Sequence, residues 1–321
     1  MKLALVLKPF SEENLAVATQ MGVTDIVTTL PRDQYQGRVW PYEPIVRHKQ
    51  KIADAGLTWS VVESVRISDT VKLGKEGRDA EIDDYCQTII NLGAAGVNIM
   101  CWNWMAVFGW MRTSFTKRTR GNALTSSYDH SLMENAPLTE HGEVSQDQLW
   151  ETLEYFLKRV IPVAEEAKVK QGIHPDDPPL TPIRGISRIV NTVENFDRIL
   201  KLYPSDYHGL TFCQGNFTAM GADIPSTLKH FGKDKIPFAH FRDLHGKIPY
   251  FSESFHDEGD TDMAKAIQAY MDIGFEGPIR PDHTPTFAID ENETGGYNIL
   301  GRLFAVGYMR GLIDGIQSTS S

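Results

Sequence analysis

Four side chains that can bind a metal ion each follow a short apolar run of the sequence: His174, Cys213, His240 and Asp282. About 39, 27 and 42 residues separate them in turn, roughly what one strand and one helix occupy in a (β/α)8 barrel. The carboxyl ends of all strands in such a barrel lie on one rim, so we expect the four groups to converge. Two imidazoles, a thiolate and a carboxylate form a ligand set for a divalent metal ion. The pattern predicts a metalloenzyme.

This ligand set is compatible with Mn²⁺ or Fe²⁺, and also with Zn²⁺. Each of the four residues has a purely structural explanation when it is taken singly. His174 could stabilise a turn, and Asp282 could cap one. Cys213 and His240 could be core residues. Four such coincidences at predicted strand ends are improbable, which favours the metal site.

Three further polar side chains are predicted to bind substrate at the same rim. Arg242 lies two residues after His240, so both side chains point to the same face of a strand. A guanidinium there would hold a substrate carboxylate through two hydrogen bonds, although a salt bridge to Asp243 or Asp257 explains the spacing equally well. Asn103 and Arg112 lie in a loop rich in aromatic residues after the fourth predicted strand, and we predict that both contact substrate.

Two residues near the fourth ligand are predicted to be catalytic. His283 directly follows Asp282, where it would act as a general acid or base. Tyr297 begins the last amphipathic segment of the chain. A phenol at a helix start more often packs or forms a structural hydrogen bond, and that alternative stays open for Tyr297.

Short β-rich runs alternate with amphipathic segments along the whole chain. The predicted strands are Leu3–Leu7, Asp25–Leu30, Thr58–Glu63, Val97–Cys101, Gln171–His174, Gly209–Cys213, Pro237–Phe241 and Pro278–Arg280. The predicted helices include Glu12–Met21, Asp79–Leu92, Gln146–Ala167, Val193–Leu202 and Met263–Ile273. Ser145 and Gln148 form a capping-box signature before the longest helix. Eight strands alternating with helices predict an α/β fold, a (β/α)8 TIM barrel.

The predicted barrel is a single domain over residues 1–316, followed by a flexible tail at 317–321. A doubly wound open sheet is the alternative, but no glycine-rich nucleotide fingerprint follows the first strand. Two connections, about 103–144 and 244–258, are too long for simple loops and follow strands 4 and 7. Both would lie on the rim that carries the metal ligands, and we predict that they are lid-like insertions.

Composition limits the partners. The formal net charge of −10 argues against nucleic acid, which requires a basic surface. No apolar run approaches the ~18 residues of a membrane span, and the first residues do not resemble a secretory signal. The three cysteines have no disulfide-scaffold spacing, which favours a reducing compartment and a cytoplasmic protein. The sequence does not specify an oligomeric state, although it permits a homo-oligomer.

Seven segments of the chain together resemble the mannonate dehydratase family, whose members are barrels related to the xylose isomerase-like superfamily. They are VVESVRISDTVKLG, RDAEIDDYCQTIINLGAAGVNIMCWNWM, GIHPDDPP with GISRIV, LTFCQGN, FAHFRDL, IRPDH and GYNILGRLFAVGYMRGL. The resemblance runs in order from about residue 1 to residue 316. It implies metal-dependent dehydration of D-mannonate, a sugar acid, to 2-keto-3-deoxy-D-gluconate in hexuronate breakdown, with Mn²⁺ or Fe²⁺.

The resemblance also assigns site residues. The metal ligands of the family fall on the four residues that spacing had selected. Its catalytic histidine and tyrosine fall on His283 and Tyr297. The asparagine of its aromatic loop falls on Asn103, and the arginine after its third ligand falls on Arg242.

Two stretches depart from the family pattern, which marks the chain as a divergent member. A DWTRT-like stretch is replaced by GWMRT, with Gly109 and Met111, and a small residue followed by arginine is replaced by Thr284-Pro285-Thr286. The exact sugar acid is therefore open. A sugar or sugar-acid isomerase or epimerase on the same scaffold is the main alternative. A non-catalytic metal-binding relative and a DNA-repair metallonuclease are less favoured.

Overall fold

The computed structural model describes residues 1–7, 10–30, 37–290 and 295–319. The strands are β1 Lys2–Val6, β2 Asp25–Thr28, β3 Thr58–Glu63, β4 Ile99–Asn103, β5 Ser114–Arg118, β6 Leu124–Asp129, β7 Lys170–His174, β8 His208–Cys213, β9 Phe238–Phe241, β10 Leu244–Lys247, β11 Tyr250–Glu253 and β12 Pro278–Pro281. The helices are α1 Glu12–Gln20, α2 Tyr42–Asp54, α3 Asp69–Lys72, α4 Arg78–Ala94, α5 Gln146–Ala167, α6 Val193–Leu202, α7 Gln214–Ala219, α8 Ile224–Phe231, α9 Met263–Asp272 and α10 Ile299–Thr319. In the described ranges, no helix is long and apolar enough to cross a membrane.

Eight parallel strands close into a barrel in the order β1, β2, β3, β4, β7, β8, β9, β12. The predicted TIM barrel is confirmed, and each predicted strand is present with bounds shifted by at most two residues. Strands β2, β8, β9 and β12 are buried at every position because helices cover one face and the barrel interior covers the other. Such strands read as short continuous apolar runs, which made them visible in the sequence.

Most of the core lies between the barrel and its helices. A smaller cluster fills the barrel interior, with Val6, Val61 and Phe238 among its members. The longest barrel helix, α5, begins where predicted, because the Ser145 hydroxyl accepts a hydrogen bond from the Gln148 amide. The second half of the predicted capping box differs, since the Gln148 side chain donates to the Leu73 carbonyl.

The two rim insertions follow barrel strands 4 and 7, as predicted, and they form one structure. Strands β5 and β6 come from the first insertion and β10 and β11 from the second, and together they make an antiparallel sheet ordered β10-β11-β6-β5. Phe251 of β11 pairs with Tyr128 of β6, and both side chains are buried against Leu244 and Ile183. We call this four-stranded unit the insertion sheet.

The end of the chain differs from the expected tail. Helix α10 runs to Thr319, so residues 317–319 are helical. The last two residues of the expected tail, 320–321, lie outside the described residues. Tyr297 lies just before α10, in the segment that follows β12.

Candidate active site

Three of the predicted metal ligands lie together at the carboxyl rim of the barrel. His174 ends β7, Cys213 ends β8, and His240 is the third residue of β9. One ligand atom from each residue lies within 4.8 Å of those of the other two. Cys213 and His240 are fully buried, and the two imidazole rings are 5.0 Å apart. Neighbouring parallel strands with a regular stagger produce this convergence.

Asp282, the fourth predicted ligand, follows β12 and contacts two of these three groups. Its Oδ2 lies 3.8 Å from the Cys213 sulfur and 3.7 Å from Nδ1 of His240. Burial alone would raise the pKa of Asp282, but the adjacent His283 and Arg280 outweigh burial and hold that pKa well below its usual range. The carboxylate is therefore ionised, as metal binding requires.

The donor set and the burial of His240 fit a divalent metal ion. Neither ring nitrogen of His240 makes a hydrogen bond among the described residues, although the ring is buried. Leaving a buried polar atom unpaired costs about 1–3 kcal/mol, which a bound ion would offset. The nearest groups are Asp282 beside Nδ1 and Oε1 of Glu63, 3.4 Å from Nε2.

A second group, made of Glu63, Cys101 and His240, also has ligand atoms within 4.8 Å of one another. Burial raises the pKa of Cys101 well above its usual value, so its sulfur stays protonated. Both oxygens of Glu63 are bound by Arg280, at 2.7 and 2.9 Å. The group centred on Cys213 is therefore the better metal site.

The predicted catalytic pair lies beside Asp282. The rings of His283 and Tyr297 are 4.9 Å apart and perpendicular, and the Tyr297 hydroxyl donates to Oδ1 of Asp282 at 2.9 Å. Nε2 of His283 lies 3.8 Å from the same oxygen. Burial and the Asp282 charge raise the pKa of Tyr297 well above its usual value. The structure thus brings both residues to the metal-ligand group.

A cavity of about 260 Å³ opens onto these residues. It is lined by His174, His240, Asp282, His283, Tyr297 and Asn103, among others. Oδ1 of Asn103 accepts from the Lys72 ammonium at 3.3 Å and from the Met105 amide at 3.2 Å. These two bonds fix the orientation of the Asn103 amide, whose NH₂ group is left to donate.

Arg242 and Arg112, which we expected to hold a substrate carboxylate, are instead bound within the protein. Arg242 donates to both oxygens of Glu253 at 2.6 and 2.8 Å and to Asp177 at 3.0 Å. Arg112 donates to Asp177 at 2.6 Å and to Glu253 at 2.6 Å. Both guanidinium groups have no exposed surface and neither lines the cavity. Arg242 therefore forms salt bridges within the protein, which was the alternative to substrate binding. Its partners are Asp177 and Glu253, not Asp243 or Asp257.

Sequence reasoning missed the two carboxylates of this network. Asp177 lies three residues after His174, a spacing that could have marked it. Glu253 lies in the insertion sheet, and no local signal points to it. Burial opposes ionisation of Glu253, but Arg242, His283 and Arg112 hold its pKa well below its usual range. Oε1 of Glu253 lies 3.2 Å from Nδ1 of His283.

The residues that depart from the family pattern make specific contacts in the structure. Thr286 hydrogen-bonds Leu124 of β6 in both directions, through its backbone amide and its hydroxyl, at 2.9 Å each. Thr284 pairs with Gly296 and is buried. The Gly109 carbonyl accepts from Arg188. The Thr284–Thr286 stretch therefore ties the end of the barrel to the insertion sheet.

A closed α/β barrel with imidazole, cysteine sulfur and carboxylate groups on its carboxyl rim defines a metal-site barrel of the kind that many enzymes use. Comparison with known proteins specifies the family. The D-mannonate dehydratase (UxuA) family profile matches residues 8–143 and 136–321. A mannonate dehydratase from Thermotoga maritima is 38% identical over 318 residues, covering 88% of each chain. Mannonate dehydratase 2 from Halalkalibacterium halodurans is 36% identical, covering 92% of this chain and 93% of its own.

Solved structures agree with this result. The crystal structure of mannonate dehydratase from Streptococcus suis serotype 2 superposes with a TM-score of 0.92 at 31% identity, covering 100% of this chain and 96% of that chain. A D-tagatose 3-epimerase-like protein shares the fold alone, with a TM-score of 0.65 at 12% identity and complete coverage of both chains. This chain belongs to the D-mannonate dehydratase family, and it is an enzyme of the lyase class. The resemblance found in the sequence is confirmed.

Proposed function

We propose that this enzyme is metal-dependent and converts D-mannonate to 2-keto-3-deoxy-D-gluconate and water, in hexuronate breakdown. The observation that carries the proposal is one cavity lined by His174, His240, Asp282, His283 and Tyr297, with the Cys213 sulfur beside Asp282. Relatives that carry the mannonate dehydratase name support the substrate.

His174, Cys213, His240 and Asp282 would hold the ion, which we propose is Mn²⁺ or Fe²⁺, with Zn²⁺ as the alternative that the ligand set also admits. When bound, a divalent ion at this position supplies a Lewis acid that stabilises negative charge on substrate oxygens. The remaining steps are derived from the side chains of the protein itself.

Dehydration of a 2,3-dihydroxy acid removes the proton on C2 and the hydroxyl on C3. We assign proton removal to Nε2 of His283, a residue that lines the cavity. The Tyr297 hydroxyl, which holds a proton that it donates to Asp282, is assigned to protonate the departing C3 oxygen. Water leaves, and the enol that remains tautomerises to the 2-keto acid.

Of the three residues expected to bind substrate, we keep only Asn103 in that role. Because Arg242 and Arg112 are paired internally, the donor that we assign to a substrate oxygen is the NH₂ group of Asn103. The two arginines keep a role in the site, since they hold the carboxylates of Asp177 and Glu253.

The test is incubation of Mn²⁺- or Fe²⁺-loaded protein with D-mannonate, followed by mass spectrometry. We expect a product that has lost one water, and we expect a chelator to abolish it. A product of unchanged mass would instead identify a sugar-acid isomerase or epimerase. Absence of any product with metal bound in stoichiometric amount would contradict the proposed substrate.

A further inference from the structure

Glu253 reaches the catalytic pair from outside the barrel. It is the last residue of β11, and its side chain is buried. Oε1 contacts Nδ1 of His283 at 3.2 Å and also accepts from Arg112 and Arg242, each at 2.6 Å. Oε2 accepts from Nε of Arg242 at 2.8 Å. The carboxylate is thus held on one side by two guanidinium groups and contacts the imidazole on the other.

This arrangement selects one tautomer of His283. A carboxylate held by two guanidinium groups is an acceptor only, so Nδ1 of His283 must carry the proton between them. Arg112 is a competing partner, at 3.5 Å from the same nitrogen. That contact is longer than the contact with Glu253, and the same Nη2 already donates to Glu253 at 2.6 Å and to Asp177 at 3.0 Å. With the proton on Nδ1, the lone pair is on Nε2, near Asp282 and Tyr297.

The carboxylate depends on both insertions for its position. Strand β11 is paired with β10 on one side and with β6 of the first insertion on the other. Arg112 precedes β5 in the first insertion, whereas Arg242 follows β9 of the barrel. Glu253 therefore reaches His283 only when the insertion sheet is assembled on the rim.

We propose that Glu253 is a positioning residue that fixes the ring and the tautomer of His283, so that Nε2 faces the reacting carbon. Arg112 and Arg242 in turn hold Glu253. The proposal rests on the proposed function, because it takes His283 as the base. It assigns to the insertion sheet a part in catalysis.

The first test compares two variants. Each one neutralises a carboxylate that is paired with both Arg112 and Arg242. Glu253→Gln replaces the acceptor-only carboxylate beside His283 with a neutral amide that can donate as well as accept, whereas Asp177→Asn leaves the contact between Glu253 and His283 in place. We expect Glu253→Gln to lower kcat about 10- to 100-fold with little change in KM, as for other residues that orient a functional group. Asp177→Asn should lower kcat less. An equal or larger loss in Asp177→Asn would overturn the proposal, because the network would then act only through stability.

The second test reads the tautomer directly and needs no substrate. ¹⁵N NMR of histidine-labelled protein, loaded with diamagnetic Zn²⁺, distinguishes protonation at Nδ1 from protonation at Nε2. The His283 signal is assigned by its absence in His283→Gln. We expect an Nδ1-protonated ring in the native enzyme and in Asp177→Asn, and a loss of that preference in Glu253→Gln. An Nε2-protonated ring in the native enzyme overturns the proposal, even if Glu253→Gln fails to fold.

A double-variant cycle separates positioning from folding. In the background of His283→Asn, the Glu253→Gln change should have no further effect on residual turnover, because Glu253 acts through the imidazole. A full additional loss would show a general structural role and overturn the proposal. Failure of the proposed function looks different, since an enzyme inactive on D-mannonate would still show the fixed tautomer.

Discussion

The barrel rim and the insertion sheet contribute to the same site by different means. On the rim, His174, Cys213 and His240 lie in the last residues of three neighbouring parallel strands, so strand register alone brings them together. In the insertion sheet, Glu253 reaches His283 through pairing between two segments that are more than 100 residues apart in sequence. The positions of the metal-ligand residues therefore follow from local strand patterns. The position of Glu253 beside His283 depends on long-range pairing between strands.

The largest effect is expected from removing a metal ligand on the barrel rim. Cys213→Ser removes the sulfur ligand from the group and should reduce both bound metal and activity by at least about 100-fold. Metal content after dialysis, measured by elemental analysis, checks it. Cys101→Ser is the matched control, because that thiol lies in the same barrel interior and burial keeps it protonated. Loss of metal in Cys101→Ser with retention in Cys213→Ser would assign the site to the other group.

A narrower effect, confined to kcat, is expected when the acid and the base are removed and the metal ligands are left intact. His283→Asn and Tyr297→Phe should each lower kcat by about 10²- to 10⁴-fold, the range for general acid–base catalysis. Bound metal should be unchanged in both. Full activity in either variant, measured by product formation with D-mannonate, would contradict the role assigned to that residue.

The third prediction concerns the stability of the insertion sheet. Arg112→Met removes the cation of a fully buried, bidentate ion pair and should lower the free energy of unfolding by about 3–5 kcal/mol. Arg120→Met, in the same insertion, removes the cation of a pair with Asp257 that is half exposed, and should cost less than about 1 kcal/mol. Chemical denaturation of both variants measures the difference. Equal losses would show that burial of the network contributes nothing.

The smallest expected effect concerns helix α2, which packs on β3 away from both regions. His48 is buried between Phe10 and Trp59, and burial lowers its pKa from 6.5 to about 4. Because the folded-state pKa is depressed, the unfolded chain binds the proton first. The contribution of neutral His48 to the free energy of unfolding is fully present above pH 6.5. It is lost as the pH falls toward 4, by up to roughly 3 kcal/mol.

Comparing the native protein with His48→Gln across this pH range isolates that effect. The native protein should show the steeper decline in unfolding free energy, since glutamine does not titrate. Identical slopes would mean that His48 is protonated without cost in the folded protein.

Much of the fold was readable because the pattern of a barrel is repetitive. Strands such as β8, buried on both faces, appear as short apolar runs, and the helix α5 has a clear capping residue at Ser145. Residues at the ends of such strands can be placed in space from the fold alone. This is why the positions of His174 and Cys213 on one rim followed from spacing.

The roles of the arginines could not be read in the same way. Arg242 has the same residue type and spacing whether it binds a substrate carboxylate or a protein carboxylate. Only the position of Glu253 decides between these, and that position depends on the pairing of β11 with β6. A buried guanidinium requires a partner, but the sequence does not say which acid will be within reach.

The sequence by itself determined the barrel, the family and the convergence of metal-capable residues on one rim, because strand periodicity and strand ends are local properties. The tertiary structure decided that Arg112 and Arg242 are paired inside the protein and do not line the cavity. It also decided how His283 is held, because those contacts join the barrel to an insertion sheet whose pairing no local pattern specifies.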